Sequence, residues 1–201
     1  MSIPADETYL EFPRVYNFPN CLLMSKNFEG REREYNEAGK RNFCIRLSEE
    51  EALVRFPTGR RDLQGNPIYG PGLREQGLNV KQCKHREDEE HPDWFVQVHL
   101  GFEQNRPNPG ITMVKTDASG RPKHIPIDQD TVSIIDHSEL VEANVAARAS
   151  NWSRGGRSGR TLYLRNMDFT LYQDCVEERR SQMVFDGFES DVDADDEVEA
   201  V

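Results

Sequence analysis

The chain is poor in the features that define several common functional classes. Its 201 residues include four cysteines, Cys21, Cys44, Cys83 and Cys175, and no C-x-x-C pair. That scatter supplies neither a paired-thiol zinc motif nor a disulfide framework, and the thiols are read as reduced. No apolar run approaches the roughly 20 residues of a membrane-spanning helix. Residues Met1 to Glu7 have no basic start and no apolar stretch, so no secretory leader is expected and the location is read as cytoplasmic. No internal repeat is present. The length suits one domain with additional terminal segments, or at most two small domains.

Two further absences are local, and they oppose each other. The last sixteen residues contain no base and eight acids: Asp186, Glu189, Asp191, Asp193, Asp195, Asp196, Glu197 and Glu199. Such a segment cannot bury enough apolar surface to offset its ordering entropy and is expected to be disordered. Removing these eight from the 36 acids leaves 28 against 25 bases, a balance of −3 in place of −11. A near-neutral body with a polyanion at one end suggests a tail that occupies a basic groove until a stronger anion displaces it. The plainer reading is that the tail keeps the protein in solution.

Conversely, residues 143–167 contain no acid, while Arg148, Arg154, Arg157, Arg160 and Arg165 supply five positive charges. The centre reads Asn151-Trp152-Ser153-Arg154-Gly155-Gly156-Arg157-Ser158-Gly159-Arg160. Its glycines predict a flexible hairpin loop whose backbone approaches a phosphate closely. Trp152 and Tyr163 flank the loop. Arginines between aromatics on a β-hairpin suit a single-stranded nucleic acid, with stacking for bases and cations for the backbone. The competing reading is a solvated turn with Trp152 packed into the core.

Period-two alternation marks most of the strands. Arg41 to Leu47 places Phe43, Ile45 and Leu47 on one face. Trp94, Val96, Val98, Leu100 and Phe102 alternate with Phe95, Gln97, His99 and Gly101. Cys21 to Phe28, Leu78 to Cys83 and Ile111 to Lys115 read as shorter strands, with a hairpin turn at Asp117 to Gly120. Ala143 to Ala149 and Thr161 to Tyr172 form the arms of the arginine hairpin. In the last arm the apolar phase slips near Asn166, which predicts a bulge. Ser48 to Glu51 is a capping box opening a short helix that stops before Pro57, and Asp128 to Asp136 suits a second. Residues 57–77, rich in Gly and Pro, read as a long loop. The sum is a mainly β chain: a small, partly open barrel of the OB type with one or two short helices and a disordered acidic tail. The expected organisation is an N-terminal arm (1–20), the barrel domain (21–180, with 57–77 as an inserted loop) and the tail (181–201).

Motifs for chemistry are missing or incomplete. Cys83, His85 and His91 match no standard zinc set. Asp191 to Asp195 imitates the start of a calcium loop without its sixth-position Gly. Gly155 to Arg160 has no Lys-Ser/Thr and no following helix, so it is not a phosphate-binding P-loop. No cofactor, metal or catalytic residue is expected, and the chain is read as non-enzymatic.

The ordered set Asn27-Phe28-Glu29-Gly30, Glu34-Tyr35-Asn36-Glu37-Ala38-Gly39-Lys40-Arg41-Asn42-Phe43, Leu78-Asn79-Val80-Lys81, Ile127 to Val132, and Asn151-Trp152 with Gly159 and Tyr163-Leu164 resembles the single-stranded-DNA-binding proteins of tailed bacteriophages. The likeness spans about residues 22–174. It implies an OB fold, sequence-tolerant binding of single strands in phage replication or recombination in the host cytoplasm, and a tail that contacts replication proteins such as a polymerase, helicase or primase. It adds Phe28, Tyr35, Lys40, Arg41 and Lys81 to Trp152, Tyr163, Arg148, Arg154, Arg157, Arg160 and Arg165 as DNA-binding candidates. Phe43 also falls in a matching stretch, but its alternation assigns it to the core. In the tail, Phe185, Phe188, Asp191, Asp193, Asp195, Asp196 and Glu197 are the partner-binding candidates. Two departures stand out: Arg60 to Gln76 looks inserted, and the chain ends in Ala200-Val201 without a terminal aromatic, a role Phe185 and Phe188 would take. The alternative reading is a protein-interaction adaptor or nucleic-acid mimic acting through the tail. RNA is a third, since stacking does not distinguish the sugars.

Overall fold

The computed structural model describes residues 12–34, 36–83, 93–102, 108–116, 119 and 121–171. Eleven strands are found among them: β1 (Val15–Phe18), β2 (Leu23–Asn27), β3 (Arg41–Leu47), β4 (Arg55–Arg61), β5 (Pro67–Pro71), β6 (Val80–Gln82), β7 (Trp94–Leu100), β8 (Gly110–Thr116), β9 (Pro122–Ile127), β10 (Leu140–Arg154) and β11 (Arg157–Leu171). One sheet runs in the order β1-β10-β11-β7-β3-β2, with β6 beside β7 and the β8–β9 hairpin beside β11. The Cys21 amide donates to Ala143 O at 2.8 Å, which draws the β2 end toward β10. The sheet therefore curls without closing, as expected of an OB-like, partly open barrel.

Alternation explains which residues fill it. Phe43, Ile45 and Leu47 of β3 face inward with Trp94, Val96, Val98 and Leu100 of β7, and all are buried. Phe28 stacks on Phe43 with centroids 5.0 Å apart and rings nearly parallel. Phe28, expected at the DNA surface, is thus fully buried, and its ring is unavailable to a base. On β11 the buried set changes phase from Leu162 and Leu164 to Met167, Phe169 and Leu171. The cause is a register shift: Ala146 pairs with Asn166 and Ala147 with Leu164, leaving Arg165 as the extra residue of a bulge.

Three expectations are revised. The β10–β11 turn is only two residues, Gly155 and Gly156, with φ of 58° and 73°. Positive φ at both positions is the geometry of a tight type I′ hairpin turn, so paired strands extend to Arg154 and restart at Arg157 instead of dissolving into a flexible loop. Residues 57–77 are no open loop either, for β4 and β5 pair antiparallel across much of them. The capping box at Ser48 forms, with Ser48 N donating to Glu51 Oε2 at 2.9 Å and Glu51 N to Ser48 Oγ at 3.2 Å. It opens a single turn, Glu50–Val54, after which Arg55 is already extended and Pro57 sits within β4. The second helical piece is a 3₁₀ segment, Val132–His137. β9 has no counterpart among the strands expected from the sequence.

Arg160 is the largest departure. It is 3% exposed. Its guanidinium donates to Tyr16 Oη at 2.6 Å and to Pro13 O, and Tyr16 in turn donates to Gln76 Oε1 at 2.7 Å. Gln76 Nε2 donates to Pro71 O at 2.7 Å. This chain ties β1, the base of the β4–β5 hairpin and the arginine hairpin together. Arg160 is therefore an internal brace and not a phosphate ligand, because its strand position alternates away from that of its neighbours at 157 and 159. Tyr16→Phe leaves the guanidinium and Gln76 without their shared partner. It is expected to lower stability by about 1–3 kcal/mol in urea unfolding while leaving nucleic-acid affinity at low denaturant unchanged.

Candidate nucleic-acid interface

Because β10 and β11 pair residue against residue, the register fixes which side chains share their outer face. Arg148 stands opposite Tyr163, Ser150 opposite Thr161, Trp152 opposite Gly159, and Arg154 opposite Arg157. All these positions share one side of the ribbon, since residues two apart on a strand face the same way. Arg148, Trp152, Arg154, Arg157 and Tyr163 are exposed. Arg165 is exposed at the bulge. Arg154 and Arg157 place like charges directly across the hairpin, a destabilising arrangement in the absence of an anion.

Trp152 is held in place by what its neighbour lacks. A Cβ built on Gly159 would lie 2.8 Å from Trp152 Cζ2 and 3.0 Å from Cε2. The indole therefore lies across the glycine, and it remains 43% exposed. The competing reading, with Trp152 in the core, does not hold; the buried tryptophan is Trp94, with the Arg74 guanidinium 5.4 Å from its ring centroid.

The ribbon face continues into a groove of about 460 Å³ over the outer side of β3, β7 and β11. Asn42 and Cys44 of β3, Phe95, Gln97 and His99 of β7, Thr161 of β11, and Asn79 and Lys81 form its floor and wall. Arg33, Glu34 and Asn36 line one rim. His99 neighbours Tyr163 across the parallel β7–β11 pair, with ring centroids 5.8 Å apart. Burial lowers the His99 pKa from its ordinary 6.5, and the Lys40 charge lowers it further. Burial also pushes the Cys44 thiol up to about 11 and the Cys21 thiol up to about 12, so both are neutral at pH 7.

The candidates named from sequence separate as follows. Lys81 lines the groove. Lys40 is exposed beside it and ion-paired with Glu37 at 2.6 Å, a contact worth little in solvent. Arg41 shares the inner face of β3 with Phe43, away from the groove, and rests its guanidinium 5.0 Å from the Phe102 centroid. Phe28 and Arg160 are internal. Tyr35 lies outside the described residues, as do His85, His91 and the tail candidates Phe185, Phe188, Asp191, Asp193, Asp195, Asp196 and Glu197. Phe95, Gln97, His99, Asn42 and Asn79 were not among the candidates. Their signal was present in the alternation of β7 and β3, which assigned Phe95, Gln97 and His99 to the face opposite the core. Among the described residues no three His, Cys, Asp or Glu side chains gather as a metal site, and no helix is long and apolar enough to cross a membrane.

Comparison with known proteins gives one family match: the model described as "Putative phage ssDNA-binding domain" fits residues 66–200. No curated protein matches the chain.

Two outcomes follow from this geometry. Gly159→Ala should displace the indole of Trp152, which a shift in tryptophan emission would register in a protein of near-normal stability. His99 carries a depressed pKa, so below pH 6.5 the unfolded chain binds a proton that the native state resists. Stability should therefore fall as pH drops from 6.5 toward the lowered value, and His99→Gln should remove that part of the pH dependence in denaturation series.

Proposed function

The chain belongs to the family of phage single-stranded-DNA-binding domains, and on that premise we propose that single strands run from the groove over the outer face of the β10–β11 ribbon. Bases stack on Trp152 and Tyr163, with Phe95 and His99 completing the floor. Arg148, Arg154, Arg157, Arg165 and Lys81 contact phosphates. Every base has a π-face, so this mode is tolerant of sequence. The observation that carries the reading is the common side shared by Arg148, Tyr163, Trp152, Arg154 and Arg157, continuous with the groove. The role is binding and not catalysis, in phage DNA replication or recombination in the host cytoplasm. The acidic tail, with Phe185 and Phe188 among its acids, serves as the contact for a polymerase, helicase or primase.

Titration with labelled oligo(dT), duplex and RNA across a salt series tests this. Affinity for the single strand should fall with salt at a log–log slope of roughly −0.7 per phosphate contact. Replacing Arg148, Arg154 and Arg157 together by Ala should flatten the slope by about two units. Trp152→Ala should weaken binding by about 1–3 kcal/mol. An unchanged slope and affinity in the triple variant would remove the ribbon from the interface. Preference for RNA would reassign the ligand while keeping the surface.

A further inference from the structure

The ribbon and the groove offer different chemistry. The ribbon presents guanidiniums and rings, whereas the groove is lined by the side-chain amides of Asn27, Asn36, Asn42, Asn79 and Gln97. Asn42 links the two surfaces through the register. It pairs with His99 across β3 and β7, His99 pairs with Tyr163 across β7 and β11, and Tyr163 pairs with Arg148 across the ribbon. One row of side chains thus crosses the outer face, and Asn42 stands two strand spacings, about 10 Å, from Tyr163. It alternates with the core residue Phe43, so its side chain belongs to the outer face. It is nevertheless only 6% exposed, recessed among the groove's lining residues.

A relay that starts at the backbone fixes which end of the Asn42 amide is left for a ligand. The Lys40 carbonyl can only accept a hydrogen bond. Asn36 Nδ2 donates to it at 2.6 Å, so Asn36 Oδ1 is the end turned toward Asn42. Asn42 Nδ2 donates to that oxygen at 2.5 Å. Among the described residues no donor reaches Asn42 Oδ1. Turning over the Asn42 amide would set its oxygen against Asn36 Oδ1. Turning over both amides would set the Asn36 oxygen against the Lys40 carbonyl. Either change loses a hydrogen bond and brings two acceptors together. The Asn36 backbone is held as well, by a reciprocal pair of bonds with Arg33 at 2.9 and 3.0 Å. Asn42 therefore offers a recessed acceptor of fixed orientation, which water or a ligand N–H satisfies.

We infer that the groove reads one base of the bound strand, and that Asn42 Oδ1 selects a base with an exocyclic amine, cytosine or adenine, over thymine. The inference rests on the single-strand role proposed for this face. Cytosine N4 and adenine N6 carry N–H groups, whereas thymine has the acceptor O4 at the corresponding edge position. Thymine would thus meet Asn42 acceptor against acceptor. The occupant is a base edge and not a phosphate, because Glu34 lines the same rim as Asn36 and repels an anion there. Asn36 acts through Asn42 and is a positioning residue. The ribbon remains tolerant of sequence, since stacking uses the faces of the bases; the groove adds a preference at one position.

Short strands that differ in one base test this. Equilibrium titration of the full-length protein compares oligo(dT) with the same strand carrying one central cytosine, or one central N4,N4-dimethylcytosine, whose amine has no hydrogen. Cytosine should tighten binding by about three- to tenfold, the worth of one hydrogen bond. Dimethylcytosine should bind no more tightly than thymine. Equal affinity for cytosine and its dimethyl analogue, or a preference for thymine, would overturn the inference. Asn42→Leu should abolish the difference between the cytosine and thymine strands. Asn36→Ala frees the Asn42 amide to turn its NH2 toward the base and should abolish it too; an undiminished preference in that variant would refute the relay. The base analogue changes the DNA alone, so the test stands where a variant fails to fold. Two failures are distinguishable. If all three strands bind equally and Trp152→Ala weakens each of them, the strand lies on the ribbon and the base reading is wrong. If cytosine is preferred and Trp152→Ala binds unchanged, the base reading stands and the ribbon track is wrong. Failure of every strand to bind would overturn both.

Discussion

The register of the β10–β11 ribbon constrains most of what this protein presents to its surroundings. Two strands of fifteen residues, joined by two glycines, have a side-chain period of two and therefore two faces with fixed membership. Above the bulge, one face holds Ala149, Leu162 and Leu164 for the core and the other holds Arg148, Trp152, Tyr163 and the Arg154–Arg157 pair. The single extra residue at Arg165 shifts the phase so that Met167, Phe169 and Leu171 continue the core. The same shift turns Asn166 and Asp168 outward. One inserted residue thus keeps the interior apolar along the whole ribbon and also ends the basic surface.

A buried arginine holds this ribbon to the rest of the body. Burying a guanidinium is unfavourable unless its donors are satisfied, and the two terminal nitrogens of Arg160 answer that demand by donating to Tyr16 Oη and Pro13 O. Tyr16 shows the same environment from the other side: burial raises its pKa, while the Arg160 charge and hydrogen bond act to lower it. The cluster joins the N-terminal strand, the foot of the β4–β5 hairpin and the arginine hairpin into one frame. The aromatic and cationic side chains on the opposite face are thereby carried on paired strands and not on a loop, which favours preorganised stacking.

Much of this was legible in the residues, for identifiable reasons. β3 and β7 were found with their inner faces correct because each alternates strictly over seven residues. The bulge was located within one residue because an apolar phase slip has few other causes. Phe28 and Arg160 were misplaced because each sits where residue type and environment disagree: an aromatic in a polar stretch that turns inward to stack on Phe43, and an arginine in a basic run whose strand position points inside. Only tertiary partners distant in sequence, Phe43 for one and Tyr16 and Pro13 for the other, decide such positions. The span at 57–77 read as a loop because its glycines and prolines are turn-formers, yet β4 and β5 pair with each other at the margin of the body, where strand propensity counts for less than pairing. Phe95 and His99 carry no fixed charge to mark them in the sequence, and in the groove they stand with the amides of Asn27, Asn36, Asn42, Asn79 and Gln97.

The central claim is spatial: the single strand lies on the outer face of β7 and β11 and over the arginine ribbon. Photocrosslinking of the full-length protein to oligonucleotides bearing 5-iodouracil at successive positions, with mapping of the modified residues, tests it most directly. The account predicts adducts at Trp152, Tyr163, Phe95 and His99, ordered along the oligonucleotide. Adducts confined to Tyr69 of the β4–β5 hairpin, or to aromatics away from the groove, would contradict it.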